Sequence, residues 1–175
     1  MMVLGPTAAE ERLGGASAWA TILTAGGFGA LAGGVVAFRY RPARPLVVCV
    51  LTPLPFVLQF VTLALHAPLW VIAASAFVAN VVLAIHLTLW FTVFQREVPE
   101  RAQSRVSSYD ALGSFVLNPL GILAAGPVAV AIGLDGALWV AAVAIVVANL
   151  SMLLIPSIWR IGGEAVAPPP APEPA

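Results

Sequence analysis

Long stretches without charged residues divide this chain into blocks of membrane-spanning length. Residues 13–38, 45–95, 111–134 and 136–159 contain no Asp, Glu, Lys or Arg. A helix that crosses the hydrocarbon core of a bilayer needs about 20 mainly apolar residues, at about 1.5 Å of rise per residue. Three of the blocks therefore fit one spanning helix each, and the block 45–95 fits two.

The block 45–95 has its break at His66-Ala67-Pro68, where a polar residue and a proline interrupt the apolar pattern. Proline suits the first turn of a new helix. Prolines inside a span, such as Pro53 and Pro55, are expected to kink it. The pattern predicts an all-α integral membrane protein with five transmembrane helices. These helices cover about residues 16–38, 45–65, 68–94, 107–132 and 136–159.

The composition agrees with a bilayer as the solvent of this fold. Hydrophobic residues make up 61% of the chain and charged residues only 9%, whereas soluble domains carry about 25% charged residues. A soluble fold of this length could not bury so much apolar surface. The net charge is zero, so nucleic acid is not an expected partner. The single cysteine, Cys49, lies in an apolar run and is expected to be buried or lipid-facing.

The arginines predict an orientation in the membrane. The segments 39–44 and 95–106, together with the segment after Trp159, hold seven of the eight basic residues. Those seven are Arg39, Arg41, Arg44, Arg96, Arg101, Arg105 and Arg160. Cytoplasmic loops of membrane proteins carry an excess of basic residues. We therefore expect a protein of the cell (inner) membrane with its C-terminus in the cytoplasm.

The two ends of the chain differ from the spans. Residues 162–175 are rich in proline and alanine, a composition typical of an extended, disordered tail. Five spans with a cytoplasmic C-terminus place residues 1–15 outside, with no preceding span to carry them across. We therefore expect that an N-terminal portion is missing from this sequence.

Small residues cluster in the first predicted helix. Gly29 and Gly33 form a GxxxG spacing, which Ala30 and Gly34 repeat one position later. Small residues let a second helix approach closely in lipid. We predict helix packing at Gly29, Gly33 and Gly34, either in a static bundle or in one that moves.

A few polar side chains fall deep within the spans. Asn80 and His86 lie in the third predicted helix and Asn118 in the fourth, while Trp90 follows His86 by one turn. An unpaired amide in hydrocarbon is costly, so each polar side chain should face protein or water. For Asn80 and His86, an interhelical hydrogen bond and a place in a cavity wall both remain open.

Sites for catalysis or metal binding are not evident in the sequence. The two histidines are far apart and have no carboxylate or thiolate partner within the membrane, which makes a poor metal site. A nucleophile with a base, or a pair of carboxylates, is also not found. We predict no enzymatic activity, no metal and no cofactor.

The connection 95–110 carries charges of alternating sign. Arg101 and Arg105 stand at i and i+4, and Asp110 enters the fourth predicted helix near its first turn. A carboxylate is favourable at that end of a helix dipole. Either Asp110 pairs with a nearby arginine, or the segment is an ordinary solvated loop.

Three stretches together resemble the major facilitator superfamily, in the C-terminal half of a bacterial drug- or siderophore-exporter-like member. They are residues 90–108, which begin WFTVFQREVP and end RVSS, residues 118–127 (NPLGILAAGP) and residues 33–45 (GGVVAFRYRPARP). The resemblance equates the five helices with helices 8–12 of a twelve-helix transporter. Residues 1–15 would hold the end of helix 7 and an external loop. The chain departs from the family pattern at Phe38, where aspartate is usual, and at Arg41, where glycine is usual.

The resemblance implies efflux of small molecules by a secondary active transporter that works by alternating access. Under the resemblance, Gln59 and Asn149 lie on helices that face lipid, so they are weaker candidates for the substrate cavity. The implied cavity residues are Asn80, His86, Trp90 and Asn118. The implied residues of the conformational loops are Arg39, Arg41, Arg44, Arg101, Arg105 and Asp110. The implied partners are the lipid bilayer, a missing N-terminal half or a partner polypeptide, and a small-molecule substrate. A non-transporting membrane scaffold or accessory subunit is the alternative.

Overall fold

A computed structural model describes residues 3–160 of the chain. Within this range, six side chains are outside the description: Asp110, Ser114, Leu117, Asn118, Ser157 and Arg160. The predictions made for the side chains of Asp110 and Asn118, and for the tail 162–175, therefore lie outside the described residues.

The described residues fold into seven helices without a β-strand. The helices are α1 (Leu4–Arg12), α2 (Ala16–Arg39), α3 (Pro45–Leu51), α4 (Phe56–Ala64), α5 (Leu69–Glu97), α6 (Glu100–Met152) and α7 (Pro156–Arg160). Four stretches are long and apolar enough to cross a membrane: Ala16–Arg39, Pro45–Ala64, Leu69–Glu97 and Pro119–Met152. The all-α prediction is confirmed for the described residues, and the four membrane-length stretches fit a multi-pass membrane protein.

Two predicted loops are shorter than expected. Residues 10–12 belong to α1, and the turn into α2 is made by Gly14 and Gly15, at φ 93° and 83°. The connection after α5 is confined to Val98 and Pro99, so α6 begins at Glu100 rather than at residue 107. Glu100 in the first turn favours this early start, because a carboxylate stabilises the positive end of the helix dipole.

The second predicted span is a broken helix. Pro53 and Pro55 have no N–H group, so the carbonyl groups of Cys49 and Leu51, four residues earlier, lose their helical partners. The chain instead makes tight turns, in which the amide of Leu54 donates to the Leu51 carbonyl at 3.1 Å. The expected kink is therefore a full separation into α3 and α4.

The predicted break at His66-Ala67-Pro68 is confirmed. α4 ends at Ala64 and α5 begins at Leu69. His66 adopts a left-handed conformation at φ 51°, and Pro68 is extended at the N-cap of α5. The proline therefore precedes the first helical turn by one residue.

The fourth and fifth predicted spans lie on the two sides of a kink within α6. Gly133 interrupts this helix with φ 78° and ψ 163°, a conformation that glycine adopts without steric cost. It divides α6 into residues 100–132 and 134–152. The membrane-length stretch Pro119–Met152 includes this interruption.

The closest helix contact is between α2 and α5, which run parallel. A Cβ atom added at Gly26 would lie 2.8 Å from Nδ2 of Asn80, and one at Gly29 would lie 3.0 Å from Cα of Phe77. A Cβ atom at Gly33 would lie 2.8 Å from Cα of Val81. The backbone contacts at Gly29 and Gly33 are too close for any side chain, so these two glycines set the separation of the helices, while Gly26 makes room for the Asn80 side chain. Gly34 faces open space, so this contact does not depend on it.

The remaining helices complete a bundle beside this pair. α4 packs against α5 and α6, and α1 packs against α2 and α6. Ile22, Ile72 and Leu138 are fully buried in the resulting apolar core. Many large apolar side chains point outward, including Phe38 at 83% exposure, as expected where lipid is the surrounding solvent.

We predict that Gly33→Ala destabilises the bundle and that Gly34→Ala does not. The new methyl group at residue 33 would meet the backbone of Val81 and the Cβ atom of Ala84, 2.9 Å away. Overpacking of this kind costs about 1–3 kcal/mol. The same change at residue 34 meets open space and exchanges glycine for a better helix former.

Unfolding by dodecyl sulfate in mixed micelles, followed by circular dichroism, measures the difference. The midpoint should fall for Gly33→Ala and stay or rise for Gly34→Ala. Equal midpoints for the two variants would contradict the α2–α5 contact.

Candidate functional site

α2, α4 and α5 surround a cavity of about 240 Å³, here called the amide cavity. Its wall consists of Trp19, Ile22, Leu23, Gly26, Gly27, Phe56, Gln59, Ala76 and Asn80. Two aromatic rings and two amide side chains therefore line a half-open cavity in the apolar bundle, at whose rim Leu23 is 56% exposed. Phe56 is the first residue of α4, so the cavity lies beside the break between α3 and α4.

The two amide groups differ in how they are bonded. Nδ2 of Asn80 donates to the carbonyl of Ala76 at 2.8 Å, one turn earlier in α5. Gly26 makes room for this amide, because a Cβ atom there would clash with it. Gln59 is only 6% exposed. The backbone carbonyl of Gln59 accepts a hydrogen bond from the Thr62 hydroxyl at 3.2 Å. This bond does not involve the side-chain amide of Gln59.

Gln59 is the wall residue that sequence reasoning missed. The resemblance placed its helix toward lipid, but the buried residues of α4 are Gln59, Phe60, Leu63 and Ala64. These positions recur at spacings of three and four and form one helix face. That periodicity within the short segment after Pro55 was the available signal for a buried glutamine.

His86 lies outside the amide cavity, at the contact between α3 and α5. Its Nδ1 atom is 3.0 Å from the carbonyl oxygen of Cys49 and 2.7 Å from Oγ1 of Thr52. The Thr52 hydroxyl donates to the same Cys49 carbonyl at 2.8 Å. Protonation of Nδ1 satisfies this arrangement, with the ring N–H directed at both oxygen atoms.

The role of His86 follows from Pro53. The Cys49 carbonyl has no helical donor because Pro53 lacks an N–H group, and a buried carbonyl without a partner is costly. Thr52 and His86 supply the missing donors. His86 therefore makes an interhelical hydrogen bond, whereas Asn80 lines a cavity.

The other predicted cavity residues are not brought to one place. Trp90 is partly buried on α5 and does not belong to the wall of the amide cavity. Asn118 lies on α6, and its side chain is outside the description. The structure thus separates Asn80 from His86 and Trp90.

One end of the bundle carries a cluster of charged and titratable groups. Nη1 of Arg12 lies 2.5 Å from Oδ1 of Asp135, and Nε2 of His66 lies 3.7 Å from Oδ2. The cluster joins the end of α1, the connection between α4 and α5, and the residues just after Gly133. The aspartate is about half exposed, so the pair contributes little to stability on its own.

The opposite end carries several arginines around a second cavity, of about 320 Å³. Arg41 and Arg96 are part of its wall, and Arg44 stacks 5.9 Å from the ring centre of Trp159, a cation–π distance. Arg39 also lies at this end, because α2 and α5 are parallel and finish together. Arg101 and Arg105 are exposed on the first turns of α6.

Comparisons with protein-family models, with curated proteins and with solved structures find no match to this chain. The residues and their geometry are therefore the basis for any functional conclusion.

We predict that His86→Leu lowers the stability of the bundle by about 1–2 kcal/mol, because the Cys49 carbonyl loses one of its donors. Pro53→Ala would return a backbone N–H to that carbonyl, so His86→Leu should cost much less when combined with Pro53→Ala. A double-mutant cycle in dodecyl sulfate unfolding measures the coupling, expected at about 1 kcal/mol.

Thr88→Val is the matched control for the loss of His86. The Thr88 hydroxyl is exposed and donates within α5, to the carbonyl of Ala84 at 2.9 Å. Its removal should leave the unfolding midpoint nearly unchanged. A cycle without coupling between residues 53 and 86 would show that His86 does not serve the broken helix.

Proposed function

We propose that this chain forms the C-terminal half of a secondary active transporter, which exports small molecules by alternating access. The observation that carries the proposal is the amide cavity, placed beside a broken helix in a bundle of membrane length. Transporters commonly place substrate sites at interrupted helices. Irregular backbone at membrane depth is tolerated where protein or a water-filled cavity satisfies its polar groups.

Five spans, equivalent to helices 8–12 of a major facilitator fold, are part of this proposal. A straight α6 of 53 residues would reach about 80 Å, far beyond a hydrocarbon core of about 30 Å. The left-handed Gly133 supports two separate crossings. Residues on both sides of Gly133 also contribute to one apolar cluster. Ala125 and Val128 precede the glycine, and Leu138 and Ala142 follow it.

The proposed location is the cell (inner) membrane, with the C-terminus in the cytoplasm. The clustering of Arg41, Arg44 and Arg96 opposite the Arg12–Asp135 pair supports this orientation. In a Cys49→Ala background, Gly14→Cys should react with an impermeant thiol reagent from outside, and Ala43→Cys only from inside. The reverse labelling would overturn the orientation and the family resemblance together.

A second helical half, on the same or another polypeptide, is the proposed partner besides lipid. The first part of α6 supports this, since Tyr109, Phe115 and Leu123 are each at least 70% exposed. Two halves are needed for a substrate path that opens alternately to each side. The substrate is proposed to be a small amphipathic molecule.

A non-transporting scaffold or accessory subunit is the second candidate. The observation that favours it is the fixed hydrogen bond of His86 to the Cys49 carbonyl. Through this bond His86 joins α3 to α5, a structural role that a scaffold would share.

We predict gradient-driven transport of a neutral drug such as chloramphenicol by this chain assembled with its proposed second half. Proteoliposomes under an imposed proton or sodium gradient should accumulate the labelled drug, and Asn80→Leu should reduce the initial rate at least about fivefold, the effect of about 1 kcal/mol on binding. Asn149→Leu is the matched control, since Nδ2 of Asn149 bonds one turn back to Ile145 at 2.7 Å, as Asn80 does to Ala76.

The outcome separates the two candidates. Accumulation that depends on a gradient and on Asn80, but not on Asn149, supports the transporter. A stably folded polypeptide that accumulates nothing under either gradient supports the scaffold.

A further inference from the structure

We infer that the amide cavity is a binding site for a small, uncharged molecule that joins a flat apolar ring to an amide-like donor and acceptor. The site belongs to a single half of the proposed transporter, within α2, α4 and α5. The inference goes beyond transport and does not depend on it, because a scaffold with the same cavity would bind the same class of molecule.

Gln59 is the main evidence for a polar ligand group. It is 6% exposed and lies in the cavity wall, and its side-chain amide makes no hydrogen bond to a described residue, so its polar atoms are reachable from the cavity. An amide in an apolar interior is costly unless its donors and acceptor are met. A ligand amide meets both sides of the Gln59 amide at once, by donating to Oε1 and accepting from Nε2.

Asn80 adds a second polar contact on the facing wall. One of its N–H groups is already committed to the Ala76 carbonyl, which fixes the orientation of the side chain. Its Oδ1 atom then remains as an acceptor. Gly26 keeps the backbone of α2 clear of this amide, so the pair of amides stays open to the cavity.

The rest of the wall selects the other half of the ligand. The rings of Trp19 and Phe56 are part of the wall, and an aromatic ligand ring packs favourably against aromatic side chains. Ile22 and Leu23 complete the apolar surface. The volume of about 240 Å³ lies below the range of about 300–1,000 Å³ that is usual for drug-sized ligands, so a small molecule is favoured.

The wall of the amide cavity also disfavours a charged ligand. None of the residues of the amide cavity is acidic or basic, and an ion moved into such a space without a counter-charge is strongly disfavoured. A neutral molecule should therefore bind in preference to an anion or a cation of the same shape.

Benzamide, benzoate and benzamidine test this directly, since they share one shape and differ in charge. Binding to the full chain in lipid nanodiscs is measured by saturation-transfer NMR with a titration. Benzamide should bind at least tenfold more tightly than either ion. Toluene, which lacks the amide, should also bind at least tenfold more weakly.

Three variants connect this binding to the cavity. Gln59→Leu should weaken benzamide about tenfold, consistent with the loss of hydrogen bonds to a buried amide. Gly27→Leu should fill the cavity and abolish binding, because a Cβ atom at residue 27 meets open space. Gly34→Leu, also at a glycine that faces open space, lies outside this wall and should leave binding unchanged.

Several results would overturn the inference. Toluene that binds as well as benzamide would identify a site for lipid chains. Equal binding of benzamide and the two ions, or unchanged binding in Gln59→Leu and Gly27→Leu, would place the probe elsewhere. Circular dichroism confirms that each variant is folded, and Gly27→Leu alone decides the matter if Gln59→Leu does not fold. Benzamide binding without drug accumulation would refute transport and leave this site intact.

Discussion

The close parallel contact between α2 and α5 is the constraint on which the rest of the bundle depends. Gly29 and Gly33 bring the two backbones to a separation that no side chain would permit, and Gly26 leaves room for the side chain of Asn80. In lipid, where apolar surface gains little by leaving the solvent, such close packing is a main source of helix association. The contact also fixes Asn80 against Gly26, so one wall of the amide cavity is set by the same glycines.

The second organising feature is the break between α3 and α4. Pro53 and Pro55 remove backbone donors. The Thr52 hydroxyl and the His86 ring nitrogen donate to the Cys49 carbonyl in their place. α4 then begins at Phe56 and presents both Phe56 and Gln59 to the cavity. His86 therefore satisfies a backbone carbonyl at the broken helix, whereas the side-chain amides of Gln59 and Asn80 line the amide cavity.

Much of the fold could be predicted from the sequence, because uncharged blocks and proline positions are strong signals in a membrane chain. The break at His66-Ala67-Pro68 was predictable, and so was the kink at Pro53. The pairing of His86 with Cys49 was not, since it joins helices that periodicity cannot relate. The wall position of Gln59 was hidden because a family resemblance assigned its helix to lipid, against the evidence of its own buried face. The interruption at Gly133 lies at the predicted boundary between the fourth and fifth spans, which Asp135 and the flanking uncharged blocks had indicated.

Disulfide formation between α2 and α5 tests the central contact most directly. In a Cys49→Ala background, the pair Gly33→Cys and Ala84→Cys would place two Cβ atoms about 2.9 Å apart, which relaxes to the usual disulfide separation of about 3.8 Å with a small shift. After mild oxidation, trypsin cleavage after the exposed Arg39 should leave the fragments joined until a reductant is added. The control pair, Gly34→Cys with Ala84→Cys, should leave them separate. Fragments that separate for the Gly33 pair, or join equally for both pairs, would contradict the parallel contact of α2 and α5.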